Sequence, residues 1–391
     1  MPRQKSVRRI KPAKCRSFRA CLLTSTLTIL CAVGQISCGR GSSIPSPTPP
    51  PVPTAGPKPF APYIDLGFNP NLPQIQTASS IKYFSLAFIL DGGGCSPSWG
   101  GTTPVTGGTT LAGYVSSIRA TGGDVIFSFG GAAGDNLPTQ GAFLGSNDAP
   151  GLDLAYSDAC KTPTALVNAL QAVIAEYGVN PSNNTIMFDF DVEGDEVNSN
   201  PASGPTRIRT DGVDSVDLRN RALSALIAGN PGITINISYT LGVGKTGGLP
   251  ADQAGVLQNA ISNSTPVNVV NIMPFDFGQG TPISSGFYGP VVETAANDTV
   301  TQLSSPPLSP LNAKLGITVM IGVNDSSNEV FGLSDAQTVT SYATPNASIA
   351  RLSFWSVGRD NGGCAGSTQA QATCSGIAQN QWDFSHIFEA F

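Results

Sequence analysis

Histidine occurs once in the 391 residues, at His386. A Ser-His-Asp relay needs an imidazole beside its serine, and zinc sites draw on histidines or paired cysteines. The chain has no Cys-x-x-Cys pair and no His cluster, so it supports neither chemistry and no metal is expected. Basic residues are scarce once the first 40 residues are set aside. Those 40 hold nine of the 21 Lys and Arg and none of the 26 Asp and Glu. The remainder has 12 basic against 26 acidic residues, a formal charge of −14. Such a body is a poor nucleic-acid binder, because neutralising phosphates requires Lys and Arg. A long apolar run is missing as well. The stretch Ala20 to Gly34 is shorter than the roughly 20 residues a spanning helix needs.

The first 60 residues read as an address. A basic segment to Arg19, followed by that short apolar stretch, has the layout of an export signal and is set apart from the fold. Gln35-Ile-Ser-Cys38 resembles a bacterial lipoprotein cleavage box, departing from it at Gln35, where an aliphatic residue is usual. Gly39 to Pro59 is rich in Gly, Ser and Pro and reads as a spacer. The expected organisation is a leader over 1–38, a linker over 39–59 and a folded body over 60–391. The body is expected outside the bacterial cytoplasm, either freely secreted or held by a lipid on Cys38, and as a monomer. Export permits disulfides. Cys95, Cys160, Cys364 and Cys374 lie in the body, and four cysteines allow three pairings. Local closure favours Cys364 with Cys374, leaving Cys95 with Cys160.

From Ala61 onward one theme repeats: a short β-rich run, a polar or Gly-rich loop, then a helical stretch. The runs are Tyr63–Leu66, Tyr83–Leu90, Asp124–Gly130, Thr185–Glu193, Thr234–Leu241, Val267–Phe277, Lys314–Gly322 and Arg351–Val357. Several are almost wholly apolar, as parallel strands covered on both faces are. Helices are expected over Ala165–Tyr177, Leu218–Ala228, Ala251–Ser262 and Ser334–Tyr342. Eight such units over about 330 residues indicate an α/β chain folded as a (β/α)8 TIM barrel, with a doubly wound sheet as the alternative. Barrels place their chemistry at the C-terminal strand ends. Those ends carry Asp65, Asp91, Ser128, Glu193, Tyr239, Asp276, Asn324 with Asp325, and Trp355. Carboxylates for hydroxyls and an indole face for a sugar's C–H surface would suit a carbohydrate.

The fourth run is the most informative. Asp189, Asp191 and Glu193 stand at i, i+2 and i+4 within Thr-Ile-Met-Phe-Asp-Phe-Asp-Val-Glu. Strand side chains alternate, so all three point to one side, ~6–7 Å apart. Burying them costs several kcal/mol unless they are hydrogen-bonded or partly protonated. Like charges that close push pKa values apart, which is what an acid/base site needs. An edge strand with its acids in water is the bland alternative. Ile186, Met187, Phe188, Phe190 and Val192 argue against it, because both faces look buried.

Asp189-Phe-Asp191-Val-Glu193 resembles the Asp-x-Asp-x-Glu signature of family 18 glycoside hydrolases, the chitinases. Ser128-Phe-Gly-Gly131 is similar to that family's Ser-x-Gly-Gly. Met273-Pro-Phe275-Asp276-Phe277 sits where the family has Met-x-Tyr-Asp, and Trp355 where it has the Trp under the sugar. Pro62-Tyr63-Ile-Asp65, the segment Cys95 to Trp99, and Ser353 to Asp360 further resemble the bacterial chitinase D-like branch. The resemblance covers about residues 60–391. It implies substrate-assisted, retaining hydrolysis of β-1,4 N-acetylglucosamine linkages, in chitin or another glycan containing that sugar, without metal or cofactor. Glu193 would be the general acid. Asp191 would hold the acetamido N–H, and Asp189 would share a proton with Asp191. Asp276, Trp355 and Met273 would contact substrate. Ile186 stands where the family's first signature Asp lies. Phe275 and Phe277 leave the sixth strand without the Tyr hydroxyl that normally contacts the acetamido oxygen. Tyr63 or Tyr239 could replace it from a neighbouring strand end. An endo-β-N-acetylglucosaminidase acting on N-glycans, or a non-catalytic glycan-binding barrel, are the alternatives.

Other residues carry plainer readings. Asp276 could be a helix cap, Ser128 reads as structural, and Trp99 as either a sugar contact or loop packing. Trp382 reads as core. Gly242-Val-Gly244-Lys-Thr-Gly247 matches a dinucleotide-loop pattern but lacks the acid expected about 20 residues on.

Overall fold

The computed structural model describes residues 59–131, 160–193, 214–278, 280 and 282–391. The expected leader, nearly all of the linker and Cys38 lie outside these residues. The chain divides into Met1–Pro50 and Pro51–Phe391, and all that follows concerns the second unit.

In chain order the strands are β1 (Tyr63–Asp65), β2 (Tyr83–Asp91), β3 (Pro97–Trp99), β4 (Thr103–Pro104), β5 (Asp124–Gly130), β6 (Thr185–Val192), β7 (Thr234–Gly242), β8 (Val269–Met273), β9 (Lys314–Met320), β10 (Gly322–Val323), β11 (Val330–Phe331) and β12 (Ile349–Trp355). Parallel ladders join β1, β2, β5, β6, β7, β8, β9 and β12 in that sequence. The return from β12 to the start has no ladder. It consists of a parallel bridge between Phe60 and Leu352, with Ala61 N donating to Leu352 O at 2.9 Å and Leu352 N to Pro59 O at 3.2 Å. Ser353 Oγ adds a bond to Ala61 O at 2.8 Å. The architecture is thus a (β/α)8 barrel whose seam is stitched just ahead of β1. The short strands β3 and β4 extend antiparallel from β2, and β10 pairs with β11 as a separate hairpin.

The described helices are α1 (Leu72–Ser79), α2 (Thr109–Ala120), α3 (Pro163–Tyr177), α4 (Ser215–Gly229), α5 (Ala251–Ser262), α6 (Gly289–Leu303), α7 (Leu333–Ala343) and α8 (Asp383–Phe388). Helix α3 shows why they form. Thr162 caps it by accepting from Ala165 N, Pro163 occupies the first turn, and Gly178 ends it at φ 62°. Leu166, Ala169, Leu170, Val173 and Tyr177 are its buried stripe, at the spacing of one helical face. Among the described residues no helix is long and apolar enough to cross a membrane.

The expected strands recur with small changes at their ends. The sixth is the exception, shortened to Val269–Met273. Asp276 takes a left-handed φ of 52°, which no strand continues through. Both expected disulfides form, Cys95–Cys160 and Cys364–Cys374.

Strand β6 shows how the two barrel layers arise. Ile186, Phe188, Phe190 and Val192 are fully buried and face outward into the helix layer. Phe190 stacks on Phe129 at 5.1 Å, and Phe188 meets Phe129 edge-on at 5.6 Å. Each buried Phe contributes roughly 1.5–3 kcal/mol. The acids take the other face.

Gly131, just past β5, has φ 78°, and an added Cβ would come within 2.5 Å of the Phe88 ring. Gly131→Ala is therefore expected to lower stability by about 1–3 kcal/mol. A thermal melt would read this as a fall of several degrees, and a wild-type melting temperature would contradict the close approach.

Candidate active site

Asp189 lies at the centre of the barrel and is fully buried. Its register partners are Ser128 on β5 and Ser238 on β7, and both donate to it. Ser128 Oγ reaches Oδ2 at 2.8 Å, and Ser238 Oγ reaches Oδ1. Thr240 Oγ1 lies 2.9 and 3.0 Å from the two oxygens. From across the barrel come Tyr63 Oη at 2.8 Å and Arg351 Nη2 at 3.2 Å. These cross-barrel contacts establish that this face of β6 is the interior.

Five donors converge on a carboxylate with about four acceptor positions. Asp189 also forms a buried ion pair with Arg351. The network continues outward: Asn271 Nδ2 donates to Thr240 Oγ1 at 2.9 Å and to Thr318 Oγ1 at 2.7 Å.

Asp191 sits two residues above Asp189 on the same face, 4% exposed, with Gly130 and Thr240 as register partners. Its backbone carbonyl receives Gly131 N at 3.0 Å. Glu193 follows directly after β6 ends and is half-buried. The three carboxyls therefore climb from the barrel centre to its C-terminal rim, from enclosed and charge-paired to accessible.

Three aromatic rings stand beside this ladder. Trp355, the last residue of β12, stacks on Phe88 with centroids 5.6 Å apart and planes at 16°. Tyr63 lies tilted against both, at 6.1 Å from Trp355 and 5.9 Å from Phe88. Trp355 is half-buried, so its ring is reachable from the rim. Phe88 was not anticipated from the sequence, because it sits inside an apolar run where a Phe ordinarily means core. Arg351, Ser238, Thr240 and Asn271 escaped notice for a related reason: single polar residues in strands carry no local signature.

The rim residues on β8 behave differently. Met273 ends the strand half-buried. Asp276 Oδ1 accepts from Ser326 N at 2.6 Å. Burial, aided by the nearby Asp325 and Glu329 and opposed by the Ser326 N–H and Arg359, lifts its carboxyl to about 6. The cap-like contact is thus to the turn after β10, not to a helix. Phe277 stacks on Tyr288 at 6.3 Å. The hydroxyl of Tyr288 donates to Glu329 Oε2 at 2.6 Å.

Two expected contacts are corrected. Tyr239 is fully buried on the outer face of β7, because Ser238 and Thr240 occupy the inner one. Its hydroxyl donates to Asn220 Oδ1 at 2.6 Å, and Arg219 lies over its ring at 5.4 Å. Trp99 is core: its Nε1 donates to Tyr177 Oη at 2.8 Å, and its ring meets Tyr177 edge-on at 6.2 Å. Tyr63 is inside the barrel, but its hydroxyl is spent on Asp189 and Thr240. Asp91 accepts from Ser96 N at 2.7 Å and holds the turn into β3. In the Gly242–Gly247 loop, Gly247 N is taken by Asp298 Oδ2 at 2.7 Å, so the loop forms no phosphate cradle there. Among the described residues no group of three acids, cysteines or histidines could hold a metal.

No family model matches the chain. It is similar to a probable bifunctional chitinase/lysozyme of Escherichia coli (strain K12), 29% identical over 352 residues, covering 85% of this chain and 34% of that protein. It is similar to endochitinase 11 of Metarhizium anisopliae, 28% identical, covering 77% of this chain and 52% of that protein. The chain thus spans about half or less of these curated relatives. Among solved structures it resembles the catalytic domain of a hyperthermophilic chitinase from Pyrococcus furiosus. That match has a TM-score of 0.64 at 28% identity, covering 87% of this chain and 98% of that one.

Two outcomes follow from the geometry. Arg351→Met strips the buried Asp189 of its counter-charge and is expected to cost about 3–5 kcal/mol in a urea denaturation. A loss under about 1 kcal/mol would contradict the pairing. Asp276, at about 6 in the fold against its ordinary 3.8, holds a proton that the unfolded chain releases. Its contribution to stability therefore falls as pH rises from about 4 to 6. In melting curves across that window, Asp276→Asn should remove this decline; an unaltered pH dependence would refute the assignment.

Proposed function

We propose that this chitinase-like protein of the glycoside hydrolase family 18 type cleaves β-1,4 N-acetylglucosamine linkages by a retaining, substrate-assisted route. The observation that carries the proposal is the ladder on β6. A buried, Arg351-paired Asp189 lies below Asp191, and a half-buried Glu193 stands at the C-terminal rim. Barrel enzymes keep their reacting groups at that rim, and Glu193 is a half-buried acid there, directly after β6.

In this reading the sugar rests on the Trp355 ring. Glu193 protonates the glycosidic oxygen as the C1–O bond breaks. The sugar's own acetamido oxygen forms the new bond to C1, as in the substrate-assisted exceptions among glycosidases. Asp191 accepts the acetamido N–H and offsets the positive charge on the resulting oxazolinium. Water then attacks C1 while Glu193, now ionised, takes its proton. Asp189, ion-paired with Arg351, anchors the stretch of β6 that carries Asp191. Asp276 and Met273 line the same rim. The names of the relatives support this substrate class, and the two disulfides suit an oxidising compartment. The basic leader and Gly/Ser/Pro-rich spacer support export, with Cys38 as the candidate lipid anchor.

Glu193→Gln is expected to fold as wild type and lose at least about 100-fold in kcat on soluble chitin oligosaccharides. Products would be read by mass, and the first-formed anomer by NMR. Turnover within a few-fold of wild type would remove Glu193 from the mechanism. Initial release of the α-anomer would overturn retention. Oligosaccharide bound by the wild-type chain without any cleavage would favour a glycan-binding barrel.

A further inference from the structure

Glu329 directly precedes β11 and is fully buried, and the reaction proposed above does not use it. Its Oε2 accepts from Tyr288 Oη at 2.6 Å, while Oε1 has no hydrogen-bond partner among the described residues. A buried carboxyl oxygen left unsatisfied is destabilising. Packing alone does not account for this acid, since an apolar residue of similar size would fill the same space without that cost.

Two routes lead from Glu329 to Asp276. The first is its backbone, which closes the turn after β10. Asn324 N donates to Glu329 O at 3.0 Å, and Glu329 N donates to Ser326 O at 2.8 Å. Ser326 N, in that turn, donates to Asp276 Oδ1 at 2.6 Å. The second is its side chain, which holds the Tyr288 hydroxyl; the backbone N–H of Asp276 interacts with that same hydroxyl. Asp276 is thus gripped at its carboxyl and at its backbone by two groups that Glu329 ties together. It needs the grip. Strand β8 ends three residues earlier, at Met273, so no ladder fixes Asp276. Its φ of 52° is one that such a residue keeps only where the surroundings impose it.

The two halves of this ring are anchored separately. Asp335 on α7 is buried and accepts from Tyr288 N and Gly289 N, both at 2.8 Å. Asn324 Nδ2 donates to Met320 O at 2.8 Å and to Gly322 O at 3.1 Å. Between the halves, Asn324 Oδ1 lies 3.2 Å from the Tyr288 hydroxyl, beyond the usual O–H···O range, so Glu329 is the stronger tie. We infer that Glu329 is a positioning residue of the candidate active site: through Tyr288 and the Ser326 turn it sets the Asp276 carboxyl at the rim in the orientation that receives substrate. The substrate role of Asp276 rests on the function proposed above; the tie from Glu329 to Asp276 does not.

The test uses the full chain and three variants, each checked by its melting temperature. Glu329→Ala removes the tie, Glu329→Gln keeps an acceptor of the same size for Tyr288, and Tyr288→Phe removes only the shared hydroxyl oxygen. On soluble chitin oligosaccharides, Glu329→Ala and Tyr288→Phe are expected to raise KM at least about fivefold with kcat within about threefold of wild type, the mark of lost binding. Glu329→Gln is expected to hold KM within about twofold of wild type. If Glu329→Ala does not fold, Tyr288→Phe decides. A KM unchanged in the folded variants, or a kcat that falls as far as kcat/KM, overturns the inference. Should the wild-type chain hydrolyse nothing, the proposed function fails, and hydrogen exchange of the Ser326 amide, read by NMR, decides the tie separately. Exchange at least about tenfold faster in Tyr288→Phe supports it, whereas an unchanged rate overturns it.

Discussion

A single buried carboxylate organises the interior of this barrel. Asp189 is in the middle of β6, yet its donors come from β1, β5, β7 and β12. Asn271 on β8 and Thr318 on β9 join through Thr240. Seven of the eight barrel strands thus meet in one polar network. An ionised group at full burial costs several kcal/mol unless its charge is balanced and its oxygens are satisfied. Arg351 supplies the balance and the hydroxyls supply the satisfaction. Because the donors are spread around the wall, the network tolerates only one arrangement of the strands.

That constraint reaches the rim. With Asp189 held from several sides, Asp191 two residues on is set in height and direction by the strand period, and Glu193 follows directly after the strand. The gradient from sealed to open along one strand gives three identical functional groups three environments, the usual way in which like carboxyls acquire different tasks. The aromatic group follows the same logic. Tyr63 binds Asp189 through its hydroxyl and leans its ring on Phe88 and Trp355, so the platform is keyed to the carboxylate beneath it. Gly131 lets β5 end against Phe88 without a side chain between them.

The far end of the chain closes the molecule by different means. Arg359 donates to the carbonyls of Ile321 and Val323. Asp360, fully buried, accepts from Phe384 N, Ser385 N and Ser385 Oγ and so caps α8. The segment that resembles the family at Ser353 to Asp360 therefore does two things: Trp355 furnishes the platform, and Arg359 and Asp360 lock the last helix against the barrel. That lock also holds Trp382 at the start of α8, since Trp382 N binds Asp360 O at 3.0 Å.

What the sequence determined by itself is whatever depends on near neighbours. The order of eight strand-helix units, the cap and Pro at the start of α3, and the placing of three acids on one side of β6 all follow from local periodicity and capping. Tertiary structure decided which side of each strand is the inside, and which remote group meets it there. Tyr239 and Thr240 are adjacent in sequence, and only Tyr239 looked like a rim residue. Closure of the barrel turned Thr240 to Asp189 and Tyr239 to Arg219 in the helix layer. Arg351 lies 162 positions from Asp189, and no local pattern could pair them. Trp99, which the sequence left between a sugar contact and loop packing, became core for the same reason: its partner Tyr177 is 78 positions away.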